Sequence, residues 1–121
     1  MVYDKIITYG TYDLFHYGHA RLLKKAKEMG KHLKVALSTD EFNALKGKKA
    51  IQTYEQRKEV LESIKYIDEI IPETNWQQKA KDTKEAQMVM GSDWQGKFDE
   101  YGCIYLPRTE GISSTKLKIH L

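Results

Sequence analysis

Residues 5–19 read KIITYGTYDLFHYGH and contain a strand, a turn and the start of a helix. The first five residues are rich in β-branched side chains and are followed by Gly10, which predicts a β-strand. Over residues 16–29 the apolar positions recur at helical spacing, which predicts a helix with Gly30 as its C-terminal cap. A strand that leads through a short turn into a helix is typical of α/β proteins.

The same alternation continues along the rest of the chain. Further strands are predicted at Leu33–Leu37, at Glu69–Ile71 (stopped by Pro72), at Met88–Met90 and at Cys103–Leu106. A capping box at Thr53 and Gln56 predicts the start of a second helix, residues 76–87 are helical in composition, and a last helix is expected from residues 113–115 onward. Strands separated by helices pair in parallel through right-handed crossovers. The sequence therefore predicts an α/β fold, a doubly wound five-stranded parallel sheet in one domain over residues 1–121.

Composition and charge exclude several classes of protein. The 121 residues include 20 Lys and Arg against 17 Asp and Glu, a net charge of +3, and 40% are hydrophobic. This apolar content excludes global disorder, and the small excess of charge argues against a bulk nucleic-acid binder. Cys103 is the only cysteine, so no disulfide can form within the chain. With no long apolar run and no signal-peptide pattern at the N-terminus, we expect a cytoplasmic protein.

In doubly wound folds, ligands bind beyond the carboxyl ends of the strands, at the point where the strand order reverses. Residues 10–13, 38–40, 91–94 and 108–111 follow predicted strands and contain most of the unusual polar residues. Neither the P-loop pattern nor the GxGxxG dinucleotide pattern is present. The site therefore does not bind a ligand through either of these two glycine-rich phosphate-binding loops.

Two histidines stand three residues apart at the start of the first helix, on one helical face. His16 and His19 can direct ring N–H groups toward a polyanion beside the helix N-terminus, and Gly18 leaves room for it. There are two alternatives. The histidines could simply cap the helix and have no chemical role, or they could form a metal site together with Asp13. The metal site is the weaker alternative, because no third His or Cys lies at a suitable spacing. Residues 108–115 pose the same choice, because the Arg108 guanidinium and three hydroxyl side chains suit either phosphate or a simple N-cap.

Residues 10–19 and 108–115 resemble the two signatures of the cytidylyltransferase family, which belongs to the HxGH nucleotidyltransferases. Between them, residues 46–49, Arg57 and residues 65–69 resemble further positions of the family. Residues 38–43, 93–99 and several positions within 72–79 resemble the members that act on glycerol 3-phosphate. The resemblance implies a Rossmann-like nucleotidyltransferase fold and transfer of a cytidylyl group from CTP to sn-glycerol 3-phosphate, giving CDP-glycerol and pyrophosphate. It also implies a homodimer and a product that feeds glycerol-phosphate polymers such as wall teichoic acid.

The resemblance also implies roles for individual residues. Catalytic roles are expected for His16, His19, Lys48 and Arg108. Contacts with CTP are expected for these four and for Thr11, Tyr12, Gly18, Asp93, Trp94, Thr109, Gly111, Ile112, Ser113, Ser114 and Thr115. The acceptor side is expected to include Asp13, Lys46, Arg57, Lys65, Trp76 and Lys79, although relatives usually have Arg where this chain has Lys65. Mg²⁺ is expected to be held mainly by the CTP phosphates and water, with no metal site made by the protein.

Two other functions remain open at this stage. The acceptor could be choline or ethanolamine phosphate, although choline would require an aromatic cage. Lysines and an arginine on the acceptor side suit a neutral, hydroxylated group attached to a phosphate. A non-catalytic relative that only binds nucleotide is the second alternative. The lysine run at residues 46–49 is either a solvated loop or a lid over the site.

Overall fold

The computed structural model describes residues 2–107. Several predictions lie outside these residues: the last helix and the site residues Arg108, Thr109, Gly111, Ile112, Ser113, Ser114 and Thr115.

Within the described part of the chain, five parallel strands form one sheet, which confirms the predicted fold class. They are β1 (Tyr3–Gly10), β2 (Gly30–Ser38), β3 (Glu69–Glu73), β4 (Gln87–Gly91) and β5 (Ile104–Leu106). Their order in the sheet is β3-β2-β1-β4-β5, and every neighbouring pair is parallel. The chain runs outward from β1 to β3 and then returns to the other side of β1. The strand order therefore reverses between β1 and β4.

The helices between these strands, counted over residues 2–107, are four: α1 (Tyr17–Glu28), α2 (Asp40–Leu45), α3 (Tyr54–Glu62) and α4 (Gln78–Asp82). Short 3-10 turns follow β4 at Ser92–Trp94 and precede β5 at Asp99–Tyr101. The predicted capping box of α3 is confirmed, because Thr53 and Gln56 bond each other's backbone N–H groups at 3.2 and 3.0 Å. Among residues 2–107, no helix combines the length and apolar composition that crossing a membrane requires.

One helix was not predicted, and another is shorter than predicted. Helix α2 was not predicted, because six residues are too few to establish a hydrophobic period. The signal that marks its start is Thr39, whose hydroxyl accepts a hydrogen bond from the Phe42 N–H at 3.0 Å. Helix α4 is one short turn within the predicted 76–87 segment, and its N-cap makes no side-chain hydrogen bond.

The sheet is covered on both faces, as its apolar strands predicted. On one face, Ile6 and Val35 pack with Leu23 of α1 and Leu61 of α3, all fully buried. The opposite face centres on Ile7, Ala36, Met88 and Met90, and half-buried aromatic residues near the 3-10 turns cover it. The alternation of side chains along β1 and β2 thus supplies both layers of the core.

Gly30 does not cap α1, contrary to the prediction. Met29 is the C-cap in a right-handed conformation, and Gly30 is the first residue of β2, paired with Tyr3. The need for glycine is one of space, since a Cβ at this position would lie 2.5 Å from Cγ1 of Ile6.

Pro72 does not end β3 but lies within it, opposite Leu37 of β2. The prediction treated proline as a strand breaker. Proline is tolerated here because β3 is an outer strand of the sheet, where a missing N–H need not interrupt pairing on both sides.

Replacing Gly30 by alanine tests the close packing against Ile6. We expect Gly30→Ala to lower the free energy of unfolding by about 1–3 kcal/mol in urea titrations, because the added methyl group overpacks a buried contact. Gly91→Ala is the matched control, since it also alters a strand glycine but meets no atom within 4 Å. A left-handed cap at Gly30 would instead predict that Gly30→Asn is tolerated better than Gly30→Ala.

Candidate active site

A cleft of about 710 Å³ opens at the carboxyl edge of the sheet, beside the ends of β1 and β4. This is the point where the strand order reverses, where the fold is expected to bind ligands. The cleft brings together many predicted site residues: Thr11, Tyr12, Asp13, His19, Lys46, Lys48, Trp76, Lys79, Asp93 and Trp94. They come from the turn after β1, the first turn of α1, the end of α2 and the loop after it, the region of α4 and the loop after β4.

His16 and His19 form the N-terminal cap of α1 between them. The Nδ1 atom of His16 accepts a hydrogen bond from the Gly18 N–H at 3.0 Å, and Nδ1 of His19 accepts one from the His16 N–H at 3.2 Å. Their rings stack with centroids 3.8 Å apart. Because each Nδ1 is an acceptor, a neutral ring carries its proton on Nε2. The cap therefore leaves each histidine with an N–H donor, so capping and anion binding are compatible roles.

Both imidazoles are neutral near pH 7. Burial is the largest cause that lowers the pKa of His19, to about 3, and the neighbouring His16 lowers it further. Asp13 acts in the opposite direction and raises this pKa. Burial also lowers the pKa of His16. The histidines can thus donate hydrogen bonds to an anion but do not bring full positive charge to the cleft.

Lysines supply the positive charge of the cleft. Among residues 2–107, five lysines line it: Lys46, Lys48, Lys49, Lys79 and Lys97. The sequence analysis did not assign Lys49 or Lys97 to the site, although each lies in a segment that it singled out. The Nζ atom of Lys48 lies 5.1 Å from the Trp94 ring, across the mouth of the cleft. Two loops that bear predicted site residues therefore meet through a cation–π contact.

Asp13 anchors the loop before α3 to the turn after β1. Its buried carboxylate accepts hydrogen bonds from the N–H groups of Ile51 at 2.8 Å and Gln52 at 3.0 Å. The residues on either side, Tyr12 and Leu14, have φ values of 51° and 50°. Non-glycine residues rarely adopt this conformation, and the surrounding contacts must maintain it.

Arg57 lies beneath the cleft and does not line it. Its guanidinium is fully buried and donates to the carbonyls of Thr11, Ser38 and Gln52 at 2.8–3.1 Å. A further N–H bonds Asp40 at 2.8 Å. Four of the five N–H donors are therefore bound within the protein. This arrangement gives Arg57 a structural role and does not support its predicted contact with the acceptor.

Lys65 also lies away from the cleft. It is exposed in the segment between α3 and β3, which leads into the amino end of β3. The cleft is at the carboxyl end of the sheet. Within one chain the predicted acceptor contact of Lys65 is thus not supported, because the two features lie at opposite edges of the sheet.

Comparisons with known proteins agree with this architecture. The sequence model of a family described as cytidylyltransferase-like matches residues 7–119. Glycerol-3-phosphate cytidylyltransferase of Bacillus subtilis (strain 168) is 56% identical over 121 residues, which cover 94% of each chain. The protein of the same name from Staphylococcus aureus (strain NCTC 8325 / PS 47) is 56% identical over 124 residues, covering 97% of this chain and 94% of the relative.

A solved structure shares the fold. The lipopolysaccharide core biosynthesis protein from Thermoplasma volcanium GSS1 superposes with a TM-score of 0.67, covering 86% of this chain and 93% of that one. At 21% identity this likeness concerns the fold alone.

Arg57→Lys distinguishes the structural role of Arg57 from a direct ligand contact. Lysine keeps the charge but cannot reach three carbonyls with one planar fork. We expect the free energy of unfolding to fall by about 1–3 kcal/mol in urea titrations, because buried carbonyl acceptors lose their donors. Lys58→Met, which alters the next residue of α3, is the control. Unchanged stability with impaired binding of the acceptor would favour the direct contact instead.

Proposed function

The chain belongs to the cytidylyltransferase-like family, and we propose that it transfers the cytidylyl group of CTP to sn-glycerol 3-phosphate, forming CDP-glycerol and pyrophosphate. The observation that carries the proposal is one cleft that is lined by several anion-binding groups, namely His19 and a set of lysines that includes Lys46, Lys48 and Lys79. The names of the full-length relatives supply the two substrates.

The reaction joins two anions. A phosphate oxygen of the acceptor attacks the α-phosphorus of CTP, a new P–O bond forms, and the bond to the bridging oxygen breaks to release pyrophosphate. The second pKa of a phosphomonoester is near ~6, so the nucleophile is already mostly a dianion at neutral pH. No general base is needed. The protein has to position the substrates and stabilise the charge on the leaving group.

The cleft residues divide between these tasks. On the nucleotide side, the Nε2–H group of His19, which lines the cleft, donates to the phosphates, and Lys48 adds full charge. His16, whose ring stacks on that of His19, supplies a second Nε2–H donor. On the acceptor side, Lys46 and Lys79 hold the phosphate of glycerol 3-phosphate. Trp76 is 54% exposed and packs edge-on against Phe42 at 5.0 Å, where it can close the acceptor end of the cleft.

Mg²⁺ belongs to the proposal as an ion carried by the nucleotide. Residues 2–107 include no group of three or more His, Cys, Asp or Glu side chains arranged to hold a metal. We propose that the ion is bound mainly by phosphate oxygens and water. When bound, the ion neutralises charge on the phosphates.

The proposal includes a cellular setting. CTP and glycerol 3-phosphate are metabolites of the cytoplasm, which is where we place the enzyme. CDP-glycerol is an activated glycerol phosphate, and its expected use is the synthesis of glycerol-phosphate polymers such as wall teichoic acid.

Pyrophosphate release tests the reaction and its specificity. The purified chain is incubated with CTP or ATP, each combined with glycerol 3-phosphate, choline phosphate or ethanolamine phosphate in the presence of Mg²⁺. We expect turnover with CTP and glycerol 3-phosphate at the highest kcat/KM, because lysines on the acceptor side do not favour a cationic head group. Comparable turnover with choline phosphate, or binding of CTP without turnover, would contradict the proposal.

His19→Ala is the variant control in this assay. We expect kcat to fall by ~100-fold or more, since a preorganised donor to the transition state is removed. His19→Asn keeps an acceptor for the His16 N–H, which separates loss of the helix cap from loss of the donor. Near-normal turnover in both variants would remove the histidines from the mechanism.

The homodimer is a separate proposal. The segment 65–69 leads into β3, an outer strand of the sheet, where a second copy can approach. We expect sedimentation at micromolar concentration to give twice the mass of the chain, because so small a domain leaves apolar surface to cover. Lys65→Ala should weaken the dimer and Lys65→Arg should preserve it. A fully active monomer would contradict this assignment.

A further inference from the structure

Glu73 is a buried carboxylate in a cleft proposed to bind two anions. It is the last residue of β3, is 1% exposed, and lines the cleft. A negative charge at this position repels phosphate unless a nearby positive charge forms an ion pair with it. Its partner is Lys79, with which it forms an ion pair.

Lys79 is held from several directions. Its Nζ atom lies 4.6 Å from the ring of Tyr9 and 5.3 Å from the ring of Phe98, and its side chain is 11% exposed. The hydroxyl of Tyr9 donates to Asp82 at 2.9 Å, which ties α4, the helix that carries Lys79, to the sheet. The ammonium group therefore has one well-defined position beside Glu73.

Glu73 is also connected to the element that carries Lys46. Its carbonyl accepts a hydrogen bond from the Thr39 N–H at 3.1 Å, and Thr39 is the N-cap of α2. Lys46 is the C-cap of that same short helix. One residue at the end of β3 thus fixes both α2 through its backbone and α4 through its side chain.

The charges around Lys46 give Glu73 a second effect. Burial lowers the pKa of Lys46, and so do the positive charges of Lys48, Lys79 and Arg57. Glu73 is the group that opposes them. It therefore helps Lys46 to stay protonated among like charges.

We propose that Glu73 is a positioning residue that holds Lys79 and Lys46 as a preformed pair of cations for the acceptor phosphate. The inference rests on the proposed function and deepens it. Glu73 makes no bond to the substrate. It sets where the lysines stand before glycerol 3-phosphate arrives, which lowers the cost of ordering them on binding.

Two physical effects predict opposite results for Glu73→Gln. If Glu73 acts only through its negative charge, removing that charge strengthens the binding of an anion, and KM for glycerol 3-phosphate falls. If Glu73 positions the lysines, the near-isosteric change frees Lys79 and weakens acceptor binding. The sign of the change in KM therefore decides between them.

The experiment is a steady-state analysis of Glu73→Gln with CTP and glycerol 3-phosphate. We expect KM for glycerol 3-phosphate to rise by about tenfold or more while KM for CTP changes by less than about twofold. In the pH profile of kcat/KM for glycerol 3-phosphate, the alkaline limb should also move to lower pH. The reason is that the variant lacks the Glu73 charge, which opposes deprotonation of Lys46. Glu59→Gln, an identical change at an exposed position on α3, is the control.

A falling or unchanged KM for the acceptor in Glu73→Gln would overturn the inference. If Glu73→Gln does not fold, Glu73→Asp serves as the test of positioning. This variant keeps the negative charge but places the carboxylate one methylene group farther from Lys79. A raised acceptor KM in Glu73→Asp supports positioning, and a wild-type KM overturns it. Absence of turnover in the wild-type protein would instead count against the proposed function.

Discussion

The buried guanidinium of Arg57 is the constraint on which the cleft depends. A cation removed from water must be surrounded by acceptors, and here it gathers carbonyls from the turn after β1, the end of β2 and the loop before α3. Each of these segments borders the cleft or leads into it. Asp13 then fixes the loop at 51–52 against the turn after β1. The substrate-facing surface is thus built on polar contacts made beneath it, and its geometry is set before any ligand binds.

The histidine pair shows how one short motif serves both folding and chemistry. The sequence left a choice between a helix cap and a phosphate site, but the two roles use different atoms of the same rings. Nδ1 completes the helix start, and this contact keeps the proton on Nε2. Because burial keeps the rings neutral, the positive side-chain charge that residues 2–107 bring to the cleft comes from the lysines that line it.

The fold could be predicted because strands and helices alternate with clear boundaries, and the cleft could be located because parallel strands present their carboxyl ends together. Details that depend on tertiary neighbours were wrong: Gly30 is needed for its contact with Ile6, and Pro72 is accepted by an outer strand. The family resemblance assigned Arg57 to the acceptor side, whereas its spacing from Leu61 on α3 indicates an inward position. The placement of Lys65 before a strand likewise puts it at the amino end of the sheet.

Pro72 has a further consequence for how copies of this chain can associate. An outer strand with all its N–H groups invites another strand to extend the sheet, which is a route to aggregation. In β3, proline occupies the fourth of five positions, and β5 at the other side of the described sheet is three residues long. Neither border is a good template for continuous strand addition. Association beside β3 must therefore rely on side-chain packing, which can close on a pair of molecules instead of growing into a fibre.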